Sequence, residues 1–359
     1  MSDNEAKFWE PQIRLRGLTS GLALSLLQCL GLLLLVVFWC VPAVAQCDAY
    51  VAQNASNSVW VINTMTDTLV TVIPVQFSPL GVAITPNGAF AYVANTGAIC
   101  DFCGAIQSPS VSVIDTTTYT VVATIPVGQY PAGVAISPNG AFAYVANFNS
   151  NSVSVIDTAT NTVTASVTVG TNPLGVAISP NGAFAYVTNY TSQSVSVINT
   201  TTNAVVATVA MGSPAWSVAI TPNGSFAYVT NPRSNNVSVI NTATNAVVAT
   251  VAVGCGPTPV AITPNGAFAY VGNSCDSTVS VIDTTTNTVV ATVAVGGEPQ
   301  NMAITPDGSL AYTSNVLTNN LSVISTATNT VVDTVQGAGT QPEGIAIKPR
   351  PGAVTTVCR

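Results

Sequence analysis

A single stretch of 35 residues, 175–209, decides the fold; it reads GVAISPNG, then AFAYVTNYTSQS, VSVINTTTN and AVVATV. Four short runs rich in Val, Ile, Thr and Tyr are separated by turn residues, which is typical of β-strands. The Pro-Asn-Gly triplet after the first run favours a tight reversal between antiparallel strands, and Asn199 opens a second turn. The stretch therefore predicts a four-stranded antiparallel sheet.

This unit repeats along nearly all of the chain after residue 49. Its central tyrosine returns every 42 residues, apart from one interval of 52 that contains an insertion at residues 96–108. Seven copies of a four-stranded unit predict an all-β fold, a seven-bladed β-propeller. The seven tyrosines are Tyr50, Tyr92, Tyr144, Tyr186, Tyr228, Tyr270 and Tyr312.

The two ends of the repeat region supply one blade between them. The repeats begin at Tyr50 with a second strand, and residues 344–347 form a first strand with no second strand after it. We expect three N-terminal strands plus one C-terminal strand to complete the seventh blade, so that residues 46–359 form one closed propeller domain.

The repeat resembles the YVTN family of β-propeller repeats, known from archaeal surface-layer proteins and exported bacterial proteins. Residues 186–189 and 228–231 read YVTN, and residues 287–293 read NTVVATV like the rest of the family unit. The resemblance covers residues 49–348 and implies the propeller fold. Because the family hosts surface, scaffolding and ligand-binding roles, function has to be argued from a site.

Residues 1–45 are typical of an export signal. Arg14 and Arg16 precede a mainly apolar run at residues 18–41, which Ala43-Val44-Ala45 follows. This order predicts a signal peptide cleaved after Ala45. An uncleaved membrane anchor is the alternative, because the run is long enough to span a bilayer. Either way we expect everything after Ala45 to be exported, as a periplasmic, cell-surface or secreted domain.

Composition excludes several function classes. The chain of 359 residues contains no histidine and has a formal net charge of −7. Catalytic pairs of Ser or Cys with His, and metal sites built on imidazole, are thereby excluded. We expect no cofactor and no metal. We also expect no nucleic-acid partner, since every phosphate contact requires a cation. Beyond residue 45 the cations are Arg233, Lys348, Arg350 and Arg359.

Six cysteines follow Ala45, an even number that suits disulfides in an exported chain. Cys47 and Cys358 lie next to the two chain ends that meet at ring closure, and we predict a bond between them. We predict a second bond between Cys255 and Cys275, which belong to one blade. For Cys100 and Cys103 a small structural disulfide is favoured over half of a zinc site.

Comparison of the copies separates two faces of the propeller. Turns between the first and second strands and between the third and fourth are nearly the same in every copy; we call their side the repeat face. The remaining connections differ between copies and include the insertion, and we call their side the variable face. Such loops on a fixed scaffold are where binding residues are usually found, although drift of unconstrained loops would produce the same variation.

The position before each first strand points to the mouth of the central channel on the variable face. One aromatic residue and a few polar residues occur there in three consecutive blades, and rim decoration is the alternative interpretation. The predicted ligand-binding residues are Trp216, Glu298, Gln300, Asn301 and Glu343.

Two functions remain open from the sequence. The first is a non-enzymatic, monomeric interaction scaffold that binds a protein or cell-envelope partner on the variable face. It contacts the membrane only if the N-terminal segment is uncleaved. The alternative is a metal-dependent lactonase-like hydrolase using Glu343, Asn301 and a carboxylate such as Asp276.

Overall fold

The computed structural model describes residues 47–99, 106–337 and 339–348. In this part of the chain seven four-stranded antiparallel sheets follow one another as the blades of a propeller, which confirms the predicted fold. Blade I begins at Asp48 and blade VII ends at Val335. The predicted signal at residues 1–45 lies outside the described residues. Among the residues described, no helix has the length and hydropathy to cross a membrane.

Each blade runs from an inner strand at the channel to an outer strand at the rim. In the order of blades I to VII, the inner strands are Pro342–Ile347, Pro79–Ile84, Pro131–Ile136, Pro173–Ile178, Val218–Ile220, Pro257–Ile262 and Pro299–Ile304. The second strands are Asp48–Gln53, Phe90–Asn95, Phe142–Asn147, Phe184–Asn189, Phe226–Asn231, Phe268–Asn273 and Leu310–Asn315. The third strands are Ser58–Asn63, Ser110–Asp115, Ser152–Asp157, Ser194–Asn199, Asn236–Asn241, Thr278–Asp283 and Asn320–Ser325. The outer strands are Thr68–Pro74, Thr120–Pro126, Thr162–Thr168, Ala204–Ala210, Ala246–Ala252, Thr288–Ala294 and Thr330–Val335.

Two short additions lie between second and third strands. In the insertion of blade II, Ala98–Ile99 pairs with Ile106–Gln107 as a two-stranded ribbon. In blade III, Phe148–Ser150 forms a 3₁₀ turn. Both therefore belong to the variable face.

Ring closure occurs in blade I, as the sequence predicts. Its inner strand Pro342–Ile347 comes from the C-terminal end of the repeats and pairs antiparallel with Asp48–Gln53 at its N-terminal end. Lys348 continues the pairing, donating its backbone N–H to the Asp48 carbonyl at 2.8 Å.

The hydrophobic core is divided among the junctions between neighbouring blades. At the junction of blades IV and V, Tyr186 and Val197 pack with Val229 and Ile240, and all four are essentially inaccessible to solvent. The closing junction has the same composition, since Tyr312 packs there with Ile62. Burying a side chain of this size contributes about 1.5–3 kcal/mol, so packing between blades contributes substantially to the stability of the propeller.

The repeated tyrosine also joins each blade to the next by hydrogen bonds. Tyr228 donates to Asn287 Oδ1 at 2.7 Å and to the Thr284 carbonyl at 3.4 Å, both in the outer turn of the following blade. Asn287 has a positive φ of 54°, a conformation that asparagine tolerates well. The Tyr of one repeat and the turn Asn of the next repeat thus act together to hold neighbouring blades against each other.

The turns of the repeat face follow the predicted chemistry. Asn181 Oδ1 accepts from the Ala183 backbone N–H at 3.0 Å, and Gly182 has a φ of +73° that favours glycine. At the other turn Asp115 Oδ1 accepts the backbone N–H groups of Thr117 and Thr118, which lowers the pKa of that carboxyl. These Asp residues therefore act as turn caps, as predicted.

Candidate functional site at the channel mouth

The mouth of the channel on the variable face is a small cavity of about 130 Å³. It includes four of the five predicted ligand-binding residues, Trp216, Gln300, Asn301 and Glu343. The fifth, Glu298, lies behind the lining, where its Oε1 accepts from Gln300 Nε2 at 3.2 Å. The cavity is lined by Leu80, Gly81, Ala132, Gly133, Leu174, Gly175, Trp216, Ser217, Gln300, Asn301, Glu343 and Gly344.

Glycines close one half of the channel. A Cβ added to Gly344, Gly81 or Gly133 would overlap the backbone carbonyl of the next inner strand, and one on Gly175 would lie 2.9 Å from the Trp216 carbonyl oxygen. These inner strands therefore approach backbone to backbone, which leaves that half of the mouth small and apolar. Ser217 and Asn301 occupy the corresponding position in blades V and VII.

Side-chain hydroxyls fix the backbone of the other half. Thr188, the Thr of a YVTN motif, donates through Oγ1 to the Trp216 carbonyl at 2.7 Å. Ser314 donates in the same way to the Glu343 carbonyl at 2.6 Å. Because these bonds cross from one blade to the next, Trp216 and Glu343 are held at the mouth by their own main chains.

These hydroxyl residues are not among those that the sequence predicts for the site. The signal available was their position: they stand one residue before the end of a second strand, where blades II and III have Ala. Which carbonyl they contact depends on packing between blades, and no local pattern reveals it.

Glu343 is the titratable group of the cavity. Burial, and then the charge of Glu298, raise its pKa from the ordinary value of 4.5 to about 7. Among the described residues no side-chain hydrogen bond is made to its carboxyl group, whereas its main chain is fixed by Ser314. The group is therefore available to a ligand, and it changes charge near neutral pH.

Aromatic residues stand beside the mouth on the variable face. Tyr190 meets Trp216 in a T-shaped contact with ring centroids 5.7 Å apart, and the Arg233 guanidinium lies 5.7 Å from the Tyr190 centroid. Further along the face, Tyr130 and Phe148 pack with centroids 5.5 Å apart. Trp216 is the member of this group that lines the cavity.

Asp276, which the hydrolase alternative placed at the site, is not part of the mouth. Its Oδ2 accepts the Cys255 backbone N–H at 2.6 Å in a loop of blade VI, and it is absent from the cavity lining. Within the described residues no three Cys, Asp or Glu side chains form a group that could hold a metal ion. The three predicted ligands of that alternative are thus not brought together, because Asp276 is needed to satisfy its own loop.

The cysteines fall into two groups. Cys255 and Cys275 are free thiols in this structure, so the disulfide predicted between them is not formed in it. They are nevertheless adjacent: the Cys275 backbone N–H donates to the Cys255 carbonyl at 3.2 Å, and a hydrogen bond between the thiols raises the pKa of Cys255. Cys47 is disulfide-bonded. Its predicted partner Cys358 lies outside the described residues, as do Cys100 and Cys103.

Two family models match parts of the chain. Residues 105–216 match the cytochrome D1 haem domain, and residues 257–350 match the YNCE-like β-propeller. No curated protein matches the chain.

Among solved structures, hydrazine synthase from Kuenenia stuttgartiensis is 28% identical with a TM-score of 0.70, over 77% of this chain and 92% of that one. A protein of unknown function from Desulfotomaculum acetoxidans is 20% identical with a TM-score of 0.72, over 84% and 99%. A structure named "putative 6-phosphogluconolactonase" from Bacteroides uniformis is 17% identical with a TM-score of 0.70, over 84% and 99%. The last two likenesses show the fold alone.

The haem named by the first family model does not fit the mouth. Axial haem ligands are His, Cys, Met or Tyr, and none of these lines the cavity. A volume of about 130 Å³ is also below the ~300–1,000 Å³ that cofactor pockets occupy. The second model, a β-propeller, agrees with the observed fold. The chain is therefore a seven-bladed β-propeller, and its repeats fit the YVTN/YNCE type of propeller repeat.

Proposed function

We propose that the chain is an exported, non-enzymatic binding scaffold that holds its ligand or partner on the variable face, around the channel mouth. One observation carries this proposal: diversified polar and aromatic side chains converge on a cavity at the axis, and among the described residues they are Trp216, Ser217, Gln300, Asn301 and Glu343. A rigid frame with a few converging polar groups is the usual form of a binding site.

The contrast between the two faces supports the proposal. On the repeat face the Asn or Asp side chains accept hydrogen bonds from the backbone of their own turns, as Asn181 and Asp115 do. On the variable face Glu343 keeps a carboxyl without a hydrogen-bond partner in the described part of the chain. The fold requires the turn side chains of the repeat face. It does not require the Glu343 carboxyl, which is therefore suited to recognition.

Export is part of the proposal. It rests on the signal-like order of residues 1–45 and agrees with the disulfide at Cys47, because disulfides persist in oxidising compartments. Mass spectrometry of the protein isolated from the host's envelope and medium tests it. We expect a mature N-terminus at Gln46, and a cytosolic protein that retains Met1 would contradict it.

A capture experiment tests the binding role. The full chain, immobilised, is exposed to an envelope extract of its host, and the same is done with a variable-face variant carrying Tyr190→Ala and Trp216→Ala. The matched control carries Thr201→Ala and Thr285→Ala, two exposed changes on the repeat face. We expect a partner that the control retains and the variable-face variant loses. Capture that both variants retain, or that only the control loses, would refute the assignment of the binding face.

A further inference from the structure

We propose that the channel mouth binds the ammonium group of a small organic cation, with Glu343 as its counter-ion and Trp216 as the wall for its apolar part. This inference rests on the proposed function, because it names the ligand class of the same site. It is carried by three features of the mouth: its charge, its free acceptors and its size.

The charge of the mouth is negative. Glu343 lines the cavity and Glu298 stands behind it, bonded to Gln300, while no Lys or Arg belongs to the lining. Of the cations in the described residues, Lys348 bonds the Thr116 carbonyl at the repeat-face turn of blade II, and Arg233 lies over Tyr190. An anionic ligand would therefore meet repulsion, whereas a cation would be attracted into the cavity.

The unbonded polar groups of the mouth are hydrogen-bond acceptors, which suit a ligand that carries several donors. Gln300 donates its amide N–H to Glu298, which leaves its Oε1 as an acceptor. The Glu343 carboxyl has no side-chain hydrogen bond among the described residues, and its main chain is fixed by the bond from Ser314. An ammonium group carries three donors and no acceptor, so it satisfies both groups at once.

The apolar half of the cavity matches the remainder of such a ligand. Leu80 and Leu174 line it, Trp216 belongs to the same lining, and an indole face attracts cations more strongly than any other side-chain ring. The volume of about 130 Å³ is close to the ~150 Å³ of an apolar cavity that accepts benzene. The ligand part that enters the mouth therefore has about six non-hydrogen atoms.

A hard metal ion fits this mouth less well. Calcium takes six to eight oxygen ligands, usually with several carboxylates. The described residues contain no group of three or more Cys, Asp or Glu side chains that could hold a metal ion, and one carboxylate alone lines the cavity. A tryptophan wall also has no use in a metal site, whereas it contributes directly to the binding of an organic cation.

Calorimetric titration of the full chain with n-butylammonium chloride tests the proposal. Its isosteres 1-butanol, which is neutral, and butyrate, which is anionic, are the ligand controls, and calcium chloride is titrated in parallel. At about pH 8, where Glu343 is ionised, we expect n-butylammonium to bind at least about tenfold more tightly than 1-butanol, and butyrate not to bind.

Three variants locate the site. Glu343→Gln keeps the shape of the side chain and should weaken n-butylammonium binding by about tenfold or more, since it removes the counter-ion. Glu298→Gln is the matched control, because Glu298 does not line the cavity but bonds to Gln300, which does. It should weaken n-butylammonium binding by a smaller factor than Glu343→Gln does. A thermal melt verifies that each variant folds, and Trp216→Phe, which keeps an aromatic wall, should bind more weakly than the wild-type protein but still measurably.

Proton linkage gives a readout that a structural role would not produce. Glu343 faces Glu298, and both disfavour a second negative charge in the cavity. A bound cation should favour the ionised form of Glu343, so binding at neutral pH should release a proton and weaken towards about pH 5. Titrations in two buffers of different ionisation enthalpy measure the proton, and Glu343→Gln should abolish its release.

Several results would overturn the inference. Equal affinity for n-butylammonium and 1-butanol, full affinity in Glu343→Gln, or tight calcium binding that displaces the amine would each do so. Failure of this inference is separable from failure of the proposed function. If no amine binds while the variable-face variant still loses its partner, the ligand class alone is wrong. If amines bind while the variable-face variant captures the same partner as the wild-type protein, the scaffold role alone is wrong.

Discussion

Tyr312 of blade VII donates a hydrogen bond of 2.8 Å to Asp67 Oδ1 of blade I, at the junction that closes the ring. At five other junctions the tyrosine donates to an asparagine in the same position, as Tyr186 does to Asn245 at 3.1 Å. Burial and the neighbouring Asp333 raise the pKa of Asp67. The closing junction therefore carries the charge of a carboxylate where those five junctions carry a neutral amide.

Replacing that charge should stabilise the propeller. Because the folded-state pKa of Asp67 lies above its unfolded value, its favourable contribution is complete below about pH 3.9 and is lost as the pH rises through the folded pKa. We expect Asp67→Asn to raise the free energy of unfolding by about 1 kcal/mol at neutral pH and by little at about pH 3. Urea denaturation at both pH values measures this.

The reverse substitution at an ordinary junction is its control. Asn245→Asp introduces the carboxyl next to Tyr186 and should lower the free energy of unfolding at neutral pH. If both substitutions change stability in the same direction, the explanation based on charge is wrong.

The glycines of the inner strands should not tolerate a methyl group. A Cβ on Gly133 would overlap the Leu174 carbonyl, and overpacking of this kind destabilises by about 1–3 kcal/mol. Ser217→Ala is the matched comparison, because it occupies the same place in blade V and already carries a Cβ. We expect Gly133→Ala to lower the denaturation midpoint and Ser217→Ala to leave it nearly unchanged; equal midpoints would show that the inner strands have room to move.

Glu343 should give the protein a pH-dependent stability between about pH 5 and 8. Its pKa is raised from 4.5 to about 7 in the folded state. Its contribution is therefore complete below about pH 4.5 and is lost as the pH rises through about 7, a change of up to about 3 kcal/mol.

Denaturation across this range should show falling stability in the wild-type protein and a flatter profile in Glu343→Gln. The capped turn carboxyls such as Asp115 have lowered pKa values, so they titrate at more acid pH and do not contribute to this slope. A wild-type profile that stays level would mean that the carboxyl is fully hydrated.

The cysteine pairings remain testable predictions. Peptide mapping of the protein without reduction should link Cys47 to Cys358, and should link Cys255 to Cys275 once these two free thiols are exposed to an oxidant. A fragment that joins Cys47 to any other cysteine would contradict the pairing at ring closure.

The fold was largely predictable because its causes are local and repeated. Pro-Asn-Gly turns, Asp and Asn turn caps and short β-rich runs act within one unit, and counting units from Tyr50 to residue 347 predicts how the ring closes. The mouth residues Trp216, Gln300 and Glu343 were predictable for a related reason, since their place in the unit sets their place around the axis.

What could not be predicted depends on contacts between blades or within one irregular loop. The bond from Thr188 to the Trp216 carbonyl crosses a junction, and nothing in either strand alone specifies it. The hydrolase alternative counts Asp276 among its ligands because carboxylates are frequent metal ligands, but its loop uses it to satisfy the Cys255 N–H. Such local demands become visible only with the coordinates.

The pairing of strands from the two ends of the repeat region in blade I has a consequence for biosynthesis. A growing polypeptide completes blades II to VII in order, but its first blade keeps an open inner edge until residues 342–347 have been made and have paired with Asp48–Gln53. A chain truncated before that point would expose unpaired main-chain groups at the axis, next to glycines that leave no room for a substitute. Only a chain that reaches residue 347 can pair them, so we expect a chain that ends before residue 342 to be cleaved by proteases faster than the full chain.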